Sequence, residues 1–244
     1  MDNDKIVLRP SSIRSFCETP SKWYLNHVLG VDKFEGNTAT YFGTVVHAFA
    51  ESYYTLEPFN PHAILENAPE EVDRTHILAN YEEVCRELED KYLSQHSKPE
   101  LLEHFMKKDL DNDFLVQGTC DVYDKGVLVD YKTAGKVNKS INDNIQQLHI
   151  YAYLLALTGR EVHTYRIVQI VHKTKTLKPR INVLECKANP EEGERLVDLM
   201  HMKAKLAYDN PDYVDVIFHQ NPYSFLNDTP KVECEFTELS AIKV

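Results

Sequence analysis

The chain has 244 residues, 43% of them apolar and 27% charged, with a formal net charge of −11. That is an ordinary balance for a globular chain long enough to bury a sizeable core. No apolar stretch approaches the ~18 residues that would span a bilayer. The polar run Met1 to Lys5 does not read as a secretory signal, so a cytoplasmic setting is expected. The acidic balance argues against a protein that coats nucleic acid non-specifically, which is usually basic. It leaves room for a site of clustered carboxylates neutralised locally by bound cations. The five cysteines, Cys17, Cys85, Cys120, Cys186 and Cys234, form no C-x-x-C pair. They read as free thiols rather than a zinc site.

In chain order, Pro10-Ser11-Ser12 predicts the N-cap of a short helix through Phe16. Pro20 suits the first turn of a second helix that passes Trp23, Tyr24 and Leu25 and ends near Gly30. Gly36 to Thr40 reads as loop, and a helix follows from about Thr44 to Tyr54, interrupted by Pro58 and Pro61. Pro69 to His96 reads as one long amphipathic helix with Val72, Ile77, Val84, Leu88 and Tyr92 as an irregular apolar stripe. The region 58–112 is thus expected to be a helical insertion, structural or a lid near a site. At Phe114 the pattern changes. Phe114 to Tyr123 is strand-like, Asp124-Lys125-Gly126 is a turn with glycine available for positive φ, and Val127 to Lys132 is a second strand. Together they predict a hairpin. Asn144 to Leu157 is a helix, with Ile145, Leu148, Tyr151, Leu154 and Leu155 at helical spacing. Thr164 to His172 and Arg180 to Cys186 are strands joined by a basic turn, Pro190 to Tyr208 is a helix, and the tail from Asn210 reads as irregular. The order predicts an α/β fold, a small mixed sheet flanked by helices, with residues 1–244 forming one domain.

The chemistry concentrates on the hairpin. Asp121 lies near the end of its first strand, and Asp130 and Lys132 lie two apart on the second, hence on one face. The turn brings Asp121 close to that second strand. Charged residues at the end of an otherwise apolar strand are costly to bury unless they are paired or bind metal. Two carboxylates suit a hard cation such as Mg²⁺ or Mn²⁺, and a lysine beside it can orient water or stabilise negative charge that develops in a transition state. A surface ladder of ion pairs is the alternative. Gly43-Thr44-Val45-Val46-His47 opens a helix on which Glu51 follows His47 by one turn, so the imidazole could be a nitrogen ligand held by Glu51. Gln147 and Tyr151 share a helix face and could hydrogen-bond phosphate or buttress the lysine.

In order, the chain carries Ser11-x-x-x-x-Phe16-Cys17 with Pro20 following, Gly43-Thr44-x-x-His47, Gly118-x-x-Asp121, Val129-Asp130-Tyr131-Lys132-Thr133 and Gln147-x-x-x-Tyr151. This series resembles the RecB-type nuclease domain of the PD-(D/E)xK superfamily over roughly Leu8 to His172, a group that includes CRISPR-adaptation and phage-type exonucleases. The resemblance implies a restriction-endonuclease-like core. It implies His47, Asp121, Asp130 and the Tyr131 carbonyl as ligands of Mg²⁺ or Mn²⁺, Lys132 as the catalytic lysine, and Gln147 and Tyr151 in support of the lysine and the DNA. Many relatives hold an iron–sulfur cluster with one cysteine near the first helix and three near the C-terminus. Here Cys17 matches the first, but the tail offers only Cys234, so no cluster is expected. Lys136 and Lys139, after the catalytic strand, and Lys173, Lys175, Lys178 and Arg180, in the basic turn, are candidate phosphate contacts, with a solvated hairpin tip as the alternative. The implied function is a divalent-metal-dependent deoxyribonuclease. An exonuclease in DNA recombination, repair or phage-type processing is expected, in the cytoplasm of a bacterial or phage-infected cell, working alone or with a separate recombination or replication protein. The competing reading is an inactive DNA-binding or assembly subunit that keeps the fold.

Overall fold

The structure is a computed structural model that describes residues 5–31, 36–137, 142–172 and 178–218. Its sheet is built around the predicted hairpin. Strand β3 (Phe114–Asp124) turns through Lys125 (φ 47°) and Gly126 (φ 82°) into β4 (Val127–Ala134). Positive φ at both turn residues is the geometry that matches the twist of a two-residue hairpin, and glycine supplies one of them without strain. Beyond β4 the chain crosses over through helix α6 (Asn142–Ala156) and returns as β5 (Thr164–Val171), parallel to β4. Strand β6 (Arg180–Lys187) then pairs antiparallel with β5. Two strands escape the reading of the sequence. The short β1 (Ile6–Leu8) lies parallel to β3 at Phe114–Val116, and β2 (Leu101–Asp109) pairs antiparallel along nearly all of β3. The expected helical insertion at 58–112 is corrected accordingly, since its last stretch belongs to the sheet.

The helices cover both faces. On one side α1 (Ile13–Glu18), α6 and α7 (Pro190–Asp209) enclose Phe114, Val116, Leu128, Tyr165 and Ile167. On the other, α3 (Thr38–Thr55) and α5 (Arg74–Lys91) enclose Val129, Tyr131, Val168 and Ile170. Odd and even residues of β5 thus serve separate cores, as the pleat of a two-sided sheet requires. Helix α3 begins six residues earlier than expected, because Asn37 caps it by accepting the Thr40 N–H. The long helix expected over Pro69 to His96 begins only at Arg74, capped by Asp73, and breaks at Tyr92 into a short 3-10 turn, Leu93–Gln95. Ser12 does not cap α1 with its side chain. Its hydroxyl donates to the Arg9 carbonyl and accepts from the Trp23 indole. No helix among the described residues is long and apolar enough to cross a membrane.

Helices α6 and α7 touch backbone to backbone at Gly193. A Cβ on Gly193 of α7 would lie 1.9 Å from the His149 carbonyl oxygen of α6. Such contact can be relieved only by moving one helix off the other. Gly193→Ala is therefore expected to destabilise the protein by about 1–3 kcal/mol, the usual range for forcing extra atoms into a packed core. Urea unfolding measures it, and a variant as stable as the parent would contradict the described α6–α7 contact.

Candidate active site

The site forms where the β3–β4 ladder stops. Pairing runs from Asp124↔Val127 to Val122↔Val129 and goes no further. At the next position the Asp121 carboxylate replaces a backbone partner, with its Oδ2 accepting the Tyr131 N–H at 2.7 Å. The strands diverge from there, and β1 takes the place beside β3 that β4 has left. Gly118 lines this opening. A Cβ there would meet the Tyr151 ring at 2.9 Å and Pro10 at 3.0 Å, so glycine is what lets Tyr151 lie close over the strand.

Asp130 and Lys132 share the α6 side of β4, as period two requires. Asp130 is 3% exposed, and its Oδ1 accepts from the Lys132 ammonium at 2.8 Å. Its other oxygen, Oδ2, is buried without a hydrogen-bond partner. Burial alone would lower the lysine, but the Asp130 and Asp121 carboxylates override it and hold Lys132 above its ordinary value, fully protonated at neutral pH. From α6, Gln147 faces the ammonium at 3.5 Å with its carbonyl oxygen and donates from its amide nitrogen to the Tyr151 hydroxyl at 3.0 Å. The predicted Gln147–Tyr151 pair does stand behind the lysine.

His47 arrives from the opposite face. Helix α3 approaches β4 closely at Gly43, where a Cβ would lie 3.1 Å from the Thr133 hydroxyl, and the imidazole one turn later packs edge-on against Tyr131. Its Nε2 lies 2.9 Å from the Tyr131 carbonyl oxygen and its Nδ1 3.6 Å from the Asp121 carboxylate. Glu51, expected to hold the ring, is exposed, and the hydrogen-bond partner of the ring is that carbonyl.

The sequence reading missed one acidic residue. Glu103 on β2 stands opposite Asp121, and its carboxylate, that of Asp121 and the His47 ring have ligand atoms within 4.8 Å of one another. Burial, with the nearby Asp121, Glu51 and Asp130 charges adding to it, pushes Glu103 up to about 8. Burial likewise raises Asp121 to about 6, although His47 works against the shift. These groups fit a hard divalent cation: several carboxylate oxygens, one imidazole, and a buried carboxylate oxygen with no partner.

Of the candidate phosphate contacts, Lys136, Lys178 and Arg180 are exposed, while Lys139, Lys173 and Lys175 lie outside the described residues. The register Ala134↔Val171↔Arg180 puts Lys136 and Arg180 at the same end of the sheet, just past Lys132. Cys17 is exposed, Cys85 and Cys120 are buried and Cys186 is half-buried, and Cys234 lies outside the described residues.

This architecture and the order of its residues match a known family. A profile of the PD-(D/E)XK nuclease superfamily matches residues 8–213, and the chain belongs to that superfamily. Among solved structures, the chain is similar to a protein of Eubacterium rectale provisionally described as an exonuclease. The two are 15% identical over 99% of this chain and 96% of that one, with a TM-score of 0.57, which shows a shared fold. It also matches LHK-Exo, solved in complex with dAMP, at 11% identity over 70% of this chain and 97% of that one, with a TM-score of 0.33. No curated protein matches the chain.

The Asp130–Lys132 pair makes a prediction independent of catalysis. Removing one partner of a buried ion pair leaves the other charge uncompensated, at a cost of about 3 kcal/mol or more. Lys132→Met should destabilise the metal-free protein on that scale, and Asp130→Asn added to the same chain should recover much of the loss. Unfolding in EDTA of both single variants and the double variant measures the coupling. If the two effects simply add, the pair is not coupled.

Proposed function

We propose that this chain is a divalent-cation-dependent nuclease that hydrolyses phosphodiester bonds of DNA, acting as an exonuclease in recombination, repair or phage-type DNA processing. The observation that carries this reading is the meeting of Asp121, Asp130 and Lys132 on diverging strands with His47 from α3, beside a buried carboxylate oxygen that has no partner within the protein.

In this reading Asp121, Asp130, His47 and the Tyr131 carbonyl are the residues that hold Mg²⁺ or Mn²⁺. The bound ion supplies charge neutralisation at the phosphate and acidifies a water. Lys132, held protonated by Asp130, is a fixed positive donor rather than a base, and suits negative charge that develops on the phosphate oxygens. Gln147 limits the lysine's freedom from one side, and Tyr151 in turn holds Gln147. Lys136 and Arg180, at the sheet end beyond Lys132, would contact backbone phosphates near the scissile bond, with Lys139, Lys173, Lys175 and Lys178 as further candidates from the sequence. No iron–sulfur cluster is expected to take part.

The test is release of label from linear and circular DNA by the purified chain with Mg²⁺, Mn²⁺ or EDTA. Cation-dependent loss of label from linear ends is expected, abolished by Asp121→Asn and by Asp130→Asn. Lys132→Ala should lower turnover by ~100-fold or more, the usual scale for one transition-state donor. A folded wild-type chain that binds DNA without cutting it under any of these cations would favour the binding or assembly subunit instead.

The choice of cation follows from His47. Mg²⁺ prefers an all-oxygen shell and gives up water reluctantly, while Mn²⁺ takes imidazole more readily. Activity with Mn²⁺ should therefore at least equal that with Mg²⁺, and His47→Ala should lose Mn²⁺ affinity and any Mn²⁺ preference together. An unchanged Mn²⁺ to Mg²⁺ activity ratio in the variant would remove His47 from the ligand set.

A further inference from the structure

The sequence motifs account for His47, Asp121, Asp130 and Lys132, yet a third carboxylate shares their space. Glu103 enters from β2, a strand that carries none of those motifs. On β2 and β3 the pairs Leu102↔Val122 and His104↔Cys120 are both formed, and the pair between them, Glu103 with Asp121, is missing from the ladder. Glu103 has φ 45°, in the left-handed region that a residue with a side chain seldom occupies. Both strands change face at this point. Met106 and Cys120 pack on the α6 side, whereas Leu102 and Val122, an even number of residues away, pack on the α3 side. The interruption turns two opposed carboxylates toward His47.

The imidazole is prepared on the same side. The His47 ring lies with Nε2 2.9 Å from the Tyr131 carbonyl oxygen and Nδ1 3.6 Å from the Asp121 carboxylate, so both nitrogens face groups of this site. A ligating histidine usually fixes its tautomer by donating its other N–H to such a carbonyl. The charges also fit. Glu103, Asp121 and Asp130, with Glu51 nearby, outnumber the ammonium of Lys132 and leave an excess of negative charge when all are ionised, which a divalent cation would offset. Asp130, nine-tenths buried and more, adds the unpartnered oxygen that the protein itself does not satisfy.

We propose that Glu103 is a direct cation ligand, forming with His47 and Asp121 a three-residue position beside the Tyr131 carbonyl. The proposal rests on the metal-dependent reading of the site but is tested without cleavage. Mn²⁺ binding to the full chain is titrated by the loss of the free-ion paramagnetic resonance signal, and melting temperature is followed in EDTA and in excess Mn²⁺. Glu103→Gln is expected to weaken Mn²⁺ binding by at least ~10-fold, no less than the loss of an outer partner of a metal ligand. Its melting temperature in EDTA should equal or exceed that of wild type, because a crowded carboxylate has been removed, and the rise produced by Mn²⁺ should shrink. Mn²⁺ affinity within ~2-fold of wild type would overturn the proposal. Should Glu103→Gln fail to fold, Glu103→Asp keeps the charge and shortens its reach. Weaker Mn²⁺ binding then supports a ligand role, and unchanged binding excludes it. A wild-type chain that binds Mn²⁺ through Glu103 yet cuts no DNA would sink the nuclease reading and leave this one standing. A cleaving wild type with an unaffected Glu103→Gln titration would do the reverse.

Discussion

Everything around the site depends on one substitution of partners: the Tyr131 N–H bonds to the Asp121 carboxylate instead of to a β3 carbonyl. A buried backbone N–H must be satisfied, and a side chain that supplies the acceptor frees the two strands to separate while each remains in the sheet. The separation begins one residue beyond Val122↔Val129, so it falls where Asp130 and Lys132 project from β4. Had the ladder continued, the space beside Asp121 would be filled by paired backbone. The bond also fixes one oxygen of Asp121, leaving the other turned toward His47. Geometry and chemistry therefore come from the same contact.

The remaining parts are delivered by helices that never meet across the sheet. Helix α3 brings His47 to the carbonyl of Tyr131 from one face, and α6 brings Gln147 and Tyr151 to Lys132 from the other. The approaches are close, tight at Gly43 against Thr133 and closer than a side chain would permit without movement at Gly118 beneath Tyr151 and at Gly193, where α7 presses on α6. Of these only the last brings a Cβ within 2 Å of backbone atoms, which cannot swing aside as a side chain can. The position of Gln147 thus depends on a contact made by the first turn of α7. That is one physical route by which changes remote from the carboxylates would reach the lysine.

Much of this was legible in the sequence, for identifiable reasons. The hairpin announced itself through Lys125-Gly126 and an apolar strand that ends in charge, and period two then placed Asp130 beside Lys132. His47 stands out because it follows Gly43-Thr44 at a fixed spacing on a helix, although that helix opens earlier, at Thr38. Glu103 could not. Its strand, Leu101–Asp109, changes face midway, so its alternation cancels, and four of its nine residues are charged. A strand of three residues such as β1 carries no periodicity at all. Helical spacing puts Glu51 one turn from His47, whereas the ring's other neighbour, the Tyr131 carbonyl, belongs to a strand distant in sequence and invisible to any local pattern.

The acidity of the chain bears on how a polyanion could approach. A net charge of −11 and at least three clustered carboxylates repel phosphate, and at ~0.15 M salt that repulsion is screened only beyond about 8 Å. On the nuclease reading, a cation that neutralises the carboxylates would have to precede a phosphate substrate, an order set by this repulsion. Attraction further out has to come from local positive charge, and the sheet register gathers Lys136 and Arg180 at the end of β4 and β6 nearest Lys132. Such a patch neutralises few phosphates. Affinity for DNA should therefore fall less steeply with salt than for a basic protein that makes many contacts, the slope being set by the number of phosphates neutralised. On the nuclease reading, Lys136 and Arg180 at the sheet end and a cation at the carboxylates would act on the same polyanion, with the Lys132 ammonium between them in the register of β4.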